Sequence, residues 1–235
     1  MGIYTTKQVH RQFNIINKKI MNQYDSVDRQ KTQWPNMVGA EVNGDLYSYG
    51  WGDPESSEAK NIPGHILGNY KKIKDEYLIP NIEGKTILDI GSFDGKWTNF
   101  MGGAKRVICG DLDQKGFDLT KRRLGWDSLE FYLCEGDNLN GIEDKSIDFV
   151  FSMDSLVRSE RDLINKYIYE IKRVLAPGGK VCFHLPAQDQ HLSWELGFTQ
   201  IGSQDIINIC GEHNLGPCSI DKETINHGIL LLIGF

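Results

Sequence analysis

Thiol chemistry is thinly provided for in this chain of 235 residues. Its five cysteines, Cys109, Cys134, Cys182, Cys210 and Cys218, form no C-x-x-C pair. An odd, scattered set supports neither a disulfide framework nor a thiolate zinc site. The first three fall in expected strands, Cys210 in an expected helix and Cys218 near a late strand, all as small buried hydrophobes. Long apolar runs are also missing. The longest are strand-sized, short of the roughly 20 residues a membrane helix needs. The first residues lack a basic region followed by an apolar run and a small-residue cleavage site, so a cytoplasmic protein is expected. Basic excess is absent too: 26 Lys and Arg stand against 32 Asp and Glu, a net charge of −6. A nucleic-acid partner would demand a basic face. The densest basic cluster, Lys121-Arg122-Arg123, instead ends an expected helix, where it favours the helix dipole. Nucleic acid is therefore disfavoured.

Two nucleotide motifs are absent. No G-x-G-x-x-G opens a dinucleotide site, and no G-x-x-x-x-G-K-[ST] opens a phosphate loop. What stands in their place is Thr86 to Asp111, TILDIGSFDGKWTNFMGGAKRVICGD. An apolar strand ends at Asp89, a turn carries Gly91 and Gly95, a short helical segment follows, and a second apolar strand ends at Asp111. This is a βαβ opening in which backbone approaches a ligand at the first turn and the second acid can bind a ribose. Phe93 occupies the position where a second glycine would admit pyrophosphate, which argues against NAD and FAD. Asp89 suits a ligand with positive charge near the strand end. S-adenosylmethionine, with its ammonium, sulfonium and ribose and no phosphate, has that chemistry.

At these residues the sequence resembles the class I S-adenosylmethionine-dependent methyltransferases. Their hydrophobic-hydrophobic-[Asp/Glu]-x-Gly-x-Gly-x-Gly signature is matched by Ile87 to Gly95, with Phe93 replacing the middle glycine. Further blocks follow in the family's order. Leu129 to Leu139 resembles its third strand, with Gly136-Asp137 and Asn138 after it. Ser146 to Asp154 resembles its fourth strand. Arg173 and Leu175 to Phe183, with Pro177-Gly178-Gly179, resemble its "R-x-L-x-P-G-G" turn into the fifth. The resemblance implies a Rossmann-like α/β fold: a seven-stranded, mostly parallel sheet whose last strand is antiparallel, with helices on both faces. It implies S-adenosylmethionine as cofactor. Asp111, with Leu112 beside it, is assigned to the ribose hydroxyls. Asp137 and Asn138 are assigned to the adenine edge, and Gly91, Ser92, Phe93 and Gly95 to the methionyl portion. Asp89 is assigned to the ammonium, and Met153 to the pocket mouth.

The 40% apolar content suffices for a sizeable core. Residues 1–79 read as an N-terminal extension and 80–235 as the methyltransferase domain. In the extension, Val9, Phe13, Ile16, Ile20 and Tyr24 predict an amphipathic helix. That helix either packs on its own domain, forms a homodimer contact or covers the substrate as a lid. Residues 35–64 are loop-rich, and YSYGWGDPE places Tyr47, Tyr49 and Trp51 beside Asp53 and Glu55, either under the core or against ligand. Residues 65–79 read as helical until Pro80 stops them. Beyond Lys85, strand and helix alternate as in a parallel α/β sheet. Asp113 is expected to cap a helix ending at Gly125. Ser159-x-x-Asp162 is expected to open another that reaches Leu175 and stops at Pro177-Gly178-Gly179. A third helix is expected from Gln204 to Glu212. Ile220 to Ile233 reads as two strands joined across Asn226-His227-Gly228.

Methyl transfer to a hydroxyl gains from a base at the strand-end edge. His184, His191 and His227 qualify by topology, His184 and His227 first, although each can equally be a structural histidine. Asp154 is the carboxylate alternative. Arg158 follows the fourth strand and suits an anionic group. No metal set is evident. The expected activity is methylation of a small molecule, at an oxygen of a sugar or sugar-bearing intermediate, because the arrangement of WGDPE and GSFDGKW is similar to that of methyltransferases from bacterial glycan pathways. The alternatives are nitrogen methylation of a small amine or modified RNA base, and a non-catalytic cofactor-binding subunit.

Overall fold

The computed structural model describes residues 69–190, 192–193 and 197–235. The expected first helix, the loop with YSYGWGDPE, the lid and homodimer readings and His191 lie outside these residues.

Seven strands form one sheet: β1 (Thr86–Ile90), β2 (Arg106–Asp111), β3 (Leu129–Leu133), β4 (Ile147–Ser152), β5 (Leu175–Leu185), β6 (Cys218–Asp221) and β7 (Ile229–Ile233). Their order is β3-β2-β1-β4-β5-β7-β6. β1 to β5 are mutually parallel, and β7 lies antiparallel between β5 and β6. β6 therefore runs in the direction of β5, and the β6–β7 connection returns at the carboxyl edge. The order reverses between β1 and β4, where sheets of this kind open a ligand crevice.

Side-chain alternation explains why both faces are buried. Leu88, Ile90, Ile108, Val150, Val181, Phe183, Ile229 and Leu231 join one core cluster. Their neighbours Ile87, Val107, Cys109, Phe149, Phe151, Cys182, Leu230 and Leu232 join another on the opposite face. The period of two sends alternate residues to opposite sides. Helices α2 (Arg161–Val174) and α3 (Ser203–Glu212) cover the first face through Ile164, Tyr167, Ile168, Ile171, Ile206 and Ile209. Helix α1 (Gln114–Leu124), through Phe117, and the winding over residues 70–81 cover the second.

Local signals account for most boundaries. The Asp113 side chain accepts from Lys115 N at the start of α1, and Gly125 at φ 60° donates to Lys121 O at its end. Three expected helix boundaries need correction. Pro80 does not stop the preceding helix: the chain tightens into a 3₁₀ turn at Ile79–Asn81, whose early positions tolerate proline's missing N–H. Ser159 is not the cap of α2. Its N–H closes the preceding 3₁₀ turn on Leu156 O, so the helix starts one residue later, after Glu160. Nor do Pro177-Gly178-Gly179 end α2. It ends at Val174, where Lys145 N and Ser146 N take up the carbonyls of Arg173 and Val174, and the chain enters β5 directly. Cys134 sits just past β3 rather than within it. All five thiols are free, and burial pushes those of Cys109, Cys134 and Cys210 up to about 12, which leaves them inert.

Candidate active site

The turn after β1 is built by hydrogen bonds to its neighbours. Gly91 N and Ser92 N both donate to Gly110 O, at 2.7 and 3.2 Å, which fastens the turn to β2. Gly91 has φ 74°, and a Cβ there would lie 1.9 Å from Ser155 Oγ. The glycine is thus required twice, by conformation and by contact with the residue following Asp154. Gly91→Ala is expected to cost about 2–5 kcal/mol, from left-handed strain and overpacking together. Thermal unfolding should fall by roughly 5–20 °C. Adding Ser155→Gly should recover the contact part of that loss and leave the conformational part.

Phe93, where the family pattern has glycine, itself adopts φ 44°. Its N–H donates to Asp111 Oδ2 at 2.8 Å, while Leu112 N and Asp113 N donate to Oδ1 at 2.7 and 3.1 Å. A carboxylate has about four acceptor directions. Three are taken by backbone, so one remains for a ligand hydroxyl, and a second ribose bond would have to displace Phe93. Burial raises the Asp111 carboxyl, and these three donors pull it back. Asp89 is nearly fully buried and accepts from Thr98 Oγ1 at 2.6 Å. Burial, opposed by Thr98 and reinforced by the charge of Asp111, pushes its carboxyl up to about 7.

This donor set fits S-adenosylmethionine. Two interacting acids favour a cationic ligand over an anionic pyrophosphate. The glycine turn leaves backbone bare, and the Ser92 hydroxyl is buried in the same turn without a hydrogen-bond partner. Asp137 and Asn138 stand after β3, past Gly136 at φ 110°. Asp137 bonds Lys166 of α2 at 2.8 Å, and Asn138 bonds Glu135 and Asp137. Both line a surface cleft of about 290 Å³ together with Tyr169 and His213. Arg173 explains the arginine of the later block: it ties Leu139 O, Ile142 O, Asp144 and Glu170 together and so fixes the loop after β3. Met153 is buried near Trp97 and Phe151, and Leu112 follows Asp111 half-buried.

Asp154, His184 and His227 come together, although 30 residues or more separate each from the next in the chain. Asp154 Oδ1 lies 2.8 Å from His184 Nδ1 and 3.4 Å from His227 Nε2. The imidazoles cross edge to face, with centroids 4.7 Å apart. Asp154 has φ 58°, a left-handed conformation that aspartate tolerates better than most residues. Both histidines are fully buried, whereas the Asp154 side chain is 19% exposed and forms the open side. Burial pushes the Asp154 carboxyl up, and the two imidazoles more than reverse this, holding it well below the usual range. Burial lowers His184, which leaves its ring neutral. Tyr70, which the sequence did not single out, completes the cluster with its hydroxyl 2.9 Å from His227 Nε2. Burial and Asp154 raise this phenol well above its ordinary value, so it stays protonated. Phe198 lies beside both imidazoles at 6.0 and 5.8 Å, and the Arg158 guanidinium lies over the Phe198 ring at 5.1 Å.

The strand-order reversal between β1 and β4, with Asp89 next to the end of β1 and Asp111 ending β2, can be compared with known proteins. Residues 88–183 match the methyltransferase domain family. Over those residues the chain carries a methyltransferase domain. Among curated proteins, none matches the sequence. Solved structures share this fold. A Pyrococcus horikoshii protein is 17% identical with TM-score 0.58, covering 77% of this chain and 92% of its own. An S-adenosylmethionine-dependent methyltransferase from Aquifex aeolicus is 16% identical with TM-score 0.51, covering 75% and 95%. A geranyl diphosphate methyltransferase in complex with S-adenosylmethionine is 13% identical with TM-score 0.55, covering 69% and 84%. No helix among the described residues is long and apolar enough to cross a membrane.

Proposed function

We propose that this methyltransferase methylates an oxygen of a small molecule, with a sugar or sugar-bearing intermediate as the leading acceptor class. The observation that carries the proposal is the Asp154–His184–His227 cluster beside the cofactor turn: Asp154 is the immediate neighbour of Ser155, which abuts Gly91. A hydroxyl acceptor must lose its proton as it is methylated, and a buried carboxylate–imidazole group at the reacting edge can receive it. The sugar class rests on the sequence resemblance of WGDPE and GSFDGKW alone.

S-adenosylmethionine supplies a methyl carbon already activated by its sulfonium. Asp111 would accept a ribose hydroxyl, and the Gly91–Gly95 backbone would line the methionyl portion. Asp89 would meet the ammonium, while Asp137 and Asn138 would read the adenine edge once turned from Lys166. Asp154 would orient the imidazoles and stabilise the charge that forms when one takes a proton. Alignment of acceptor and methyl carbon contributes most, on the order of 7–11 kcal/mol, with the base adding about 10²–10⁴-fold.

Incubating the purified chain with S-adenosylmethionine and cell metabolite extracts, then identifying methylated products by mass analysis, tests this reading. An O-methylated small molecule supports it; an N-methylated product or none contradicts it. The pairing of Asp89 with an ammonium also predicts a proton effect. In the free protein Asp89 titrates near 7, above the ordinary carboxylate near 4. The folded state therefore holds a proton that the unfolded chain releases, and the stability this gives is lost as pH rises from about 4 through 7. An arriving ammonium favours the carboxylate. Calorimetry below pH 7 in buffers of different ionisation enthalpy should show proton release on cofactor binding. Asp89→Asn should abolish that release.

A further inference from the structure

We propose that Asp154, His184 and His227, brought to one point by the end of β4, by β5 and by the β6–β7 connection, bind a divalent first-row transition-metal ion. The inference rests on the oxygen-methylation reading and changes one step of it: with the imidazoles engaged as ligands, the acceptor is held on the ion and its proton passes to solvent water instead of to a histidine.

Distances come first. Two protein ligands each about 2.0–2.2 Å from one ion stand about 3.0–3.5 Å apart. Here Asp154 Oδ1 is 2.8 Å from one imidazole nitrogen and 3.4 Å from the other. One ligand atom from each of the three side chains lies within 4.8 Å of the others. A small rotation of the imidazoles would bring all three around one ion.

A second observation is independent of those distances. His184 is completely buried, yet neither of its ring nitrogens has a well-aligned hydrogen-bond partner. Its Nδ1 is close enough to Asp154 Oδ1 but is not directed along a hydrogen bond to it. A buried imidazole normally has such a partner, and a metal ion would provide one. Two imidazoles and a carboxylate on one face, with further positions open, suit zinc, iron(II), cobalt(II) or manganese(II) better than magnesium or calcium. The Tyr70 hydroxyl, 2.9 Å from His227 Nε2, stands beside the same point as a fourth donor and a second oxygen. The partly exposed side of Asp154 is the approach for an acceptor. An acceptor hydroxyl coordinated there would lose its proton more readily, to solvent water on that side. Its oxygen would then form the new bond to the methyl carbon as the carbon–sulfur bond breaks and the demethylated cofactor leaves.

Cobalt(II) is the probe, because its visible absorption reports coordination. Full-length protein stripped with chelator is titrated with Co²⁺, and separately with S-adenosylmethionine. One equivalent of Co²⁺ with visible ligand-field bands is expected. His184→Gln, His227→Gln and Asp154→Asn should each weaken Co²⁺ binding by about 10²-fold or more while binding S-adenosylmethionine within a few-fold of the parent. Absence of Co²⁺ binding by the parent, or unchanged affinity in variants that still bind S-adenosylmethionine, overturns the site. Co²⁺ binding that depends on these residues in a protein that does not bind the cofactor supports the metal site and removes the cofactor reading. Should the variants not fold, thermal unfolding of the stripped parent with and without Zn²⁺ decides. A rise in midpoint with Zn²⁺ supports the site, since a ligand of the folded state alone stabilises it; no rise overturns it.

Discussion

Replacing Asp154 with alanine is expected to lower turnover by about 10²–10⁴-fold, the range for loss of a positioned acid–base group, while S-adenosylmethionine affinity stays within a few-fold. The carboxylate touches both His184 and His227, so its removal leaves two buried imidazoles without the group that orients them and stabilises their charge. Its backbone conformation adds a control. At φ 58°, alanine carries a strain that asparagine largely avoids. Asp154→Asn should therefore fold better than Asp154→Ala yet lose a comparable part of the turnover. Single-turnover methyl transfer, alongside calorimetric titration of the cofactor, separates the two effects. Full turnover by a well-folded Asp154→Asn protein would contradict the assignment.

Asp111→Ala is expected to weaken S-adenosylmethionine binding by roughly ten-fold to a few hundred-fold. One charge-assisted hydrogen bond to the ribose is worth about 1.5–3 kcal/mol, and tenfold in affinity corresponds to about 1.4 kcal/mol. A stability loss should accompany it, because Phe93 N, Leu112 N and Asp113 N all lose their acceptor. Asparagine is a poor substitute here. Its amide nitrogen would face backbone N–H groups that are themselves donors, so Asp111→Asn should fall well short of the parent in both measurements. Calorimetry and thermal unfolding on the same samples check this, and unchanged cofactor affinity in Asp111→Ala would refute the ribose role.

The proposed cofactor half of the site was legible because its chemistry is local. Asp89, Gly91, Gly95 and Asp111 lie within 23 residues, and the strands that carry them end on the same edge. Even so, reading Phe93 as a ring in a phosphate's place missed its main role. Its backbone takes the left-handed conformation a glycine would, and its N–H anchors Asp111. The proposed acceptor half is assembled from distant segments. Topology placed Asp154, His184 and His227 at the right edge, since β6 runs with β5 and the last connection returns there. Their mutual contact depends on the sheet order β4-β5-β7, and no sequence spacing encodes that. Tyr70 gave no signal, being one aromatic within an expected helix. The helix boundaries that failed, at Pro80 and Ser159, are places where a short 3₁₀ turn took the backbone hydrogen bonds a standard cap would have used.

The central claim is that a cationic, phosphate-free adenosine donor occupies the crevice where β1 and β2 end. A crystal structure of the full chain with S-adenosylhomocysteine tests it most directly. The ligand's ribose is expected within hydrogen-bond distance of Asp111, with its amino acid portion along Gly91 to Gly95 and its sulfur facing the Asp154–His184–His227 cluster. A well-diffracting crystal grown with saturating ligand that shows it elsewhere, or shows a nicotinamide or flavin held in that crevice, would contradict the account.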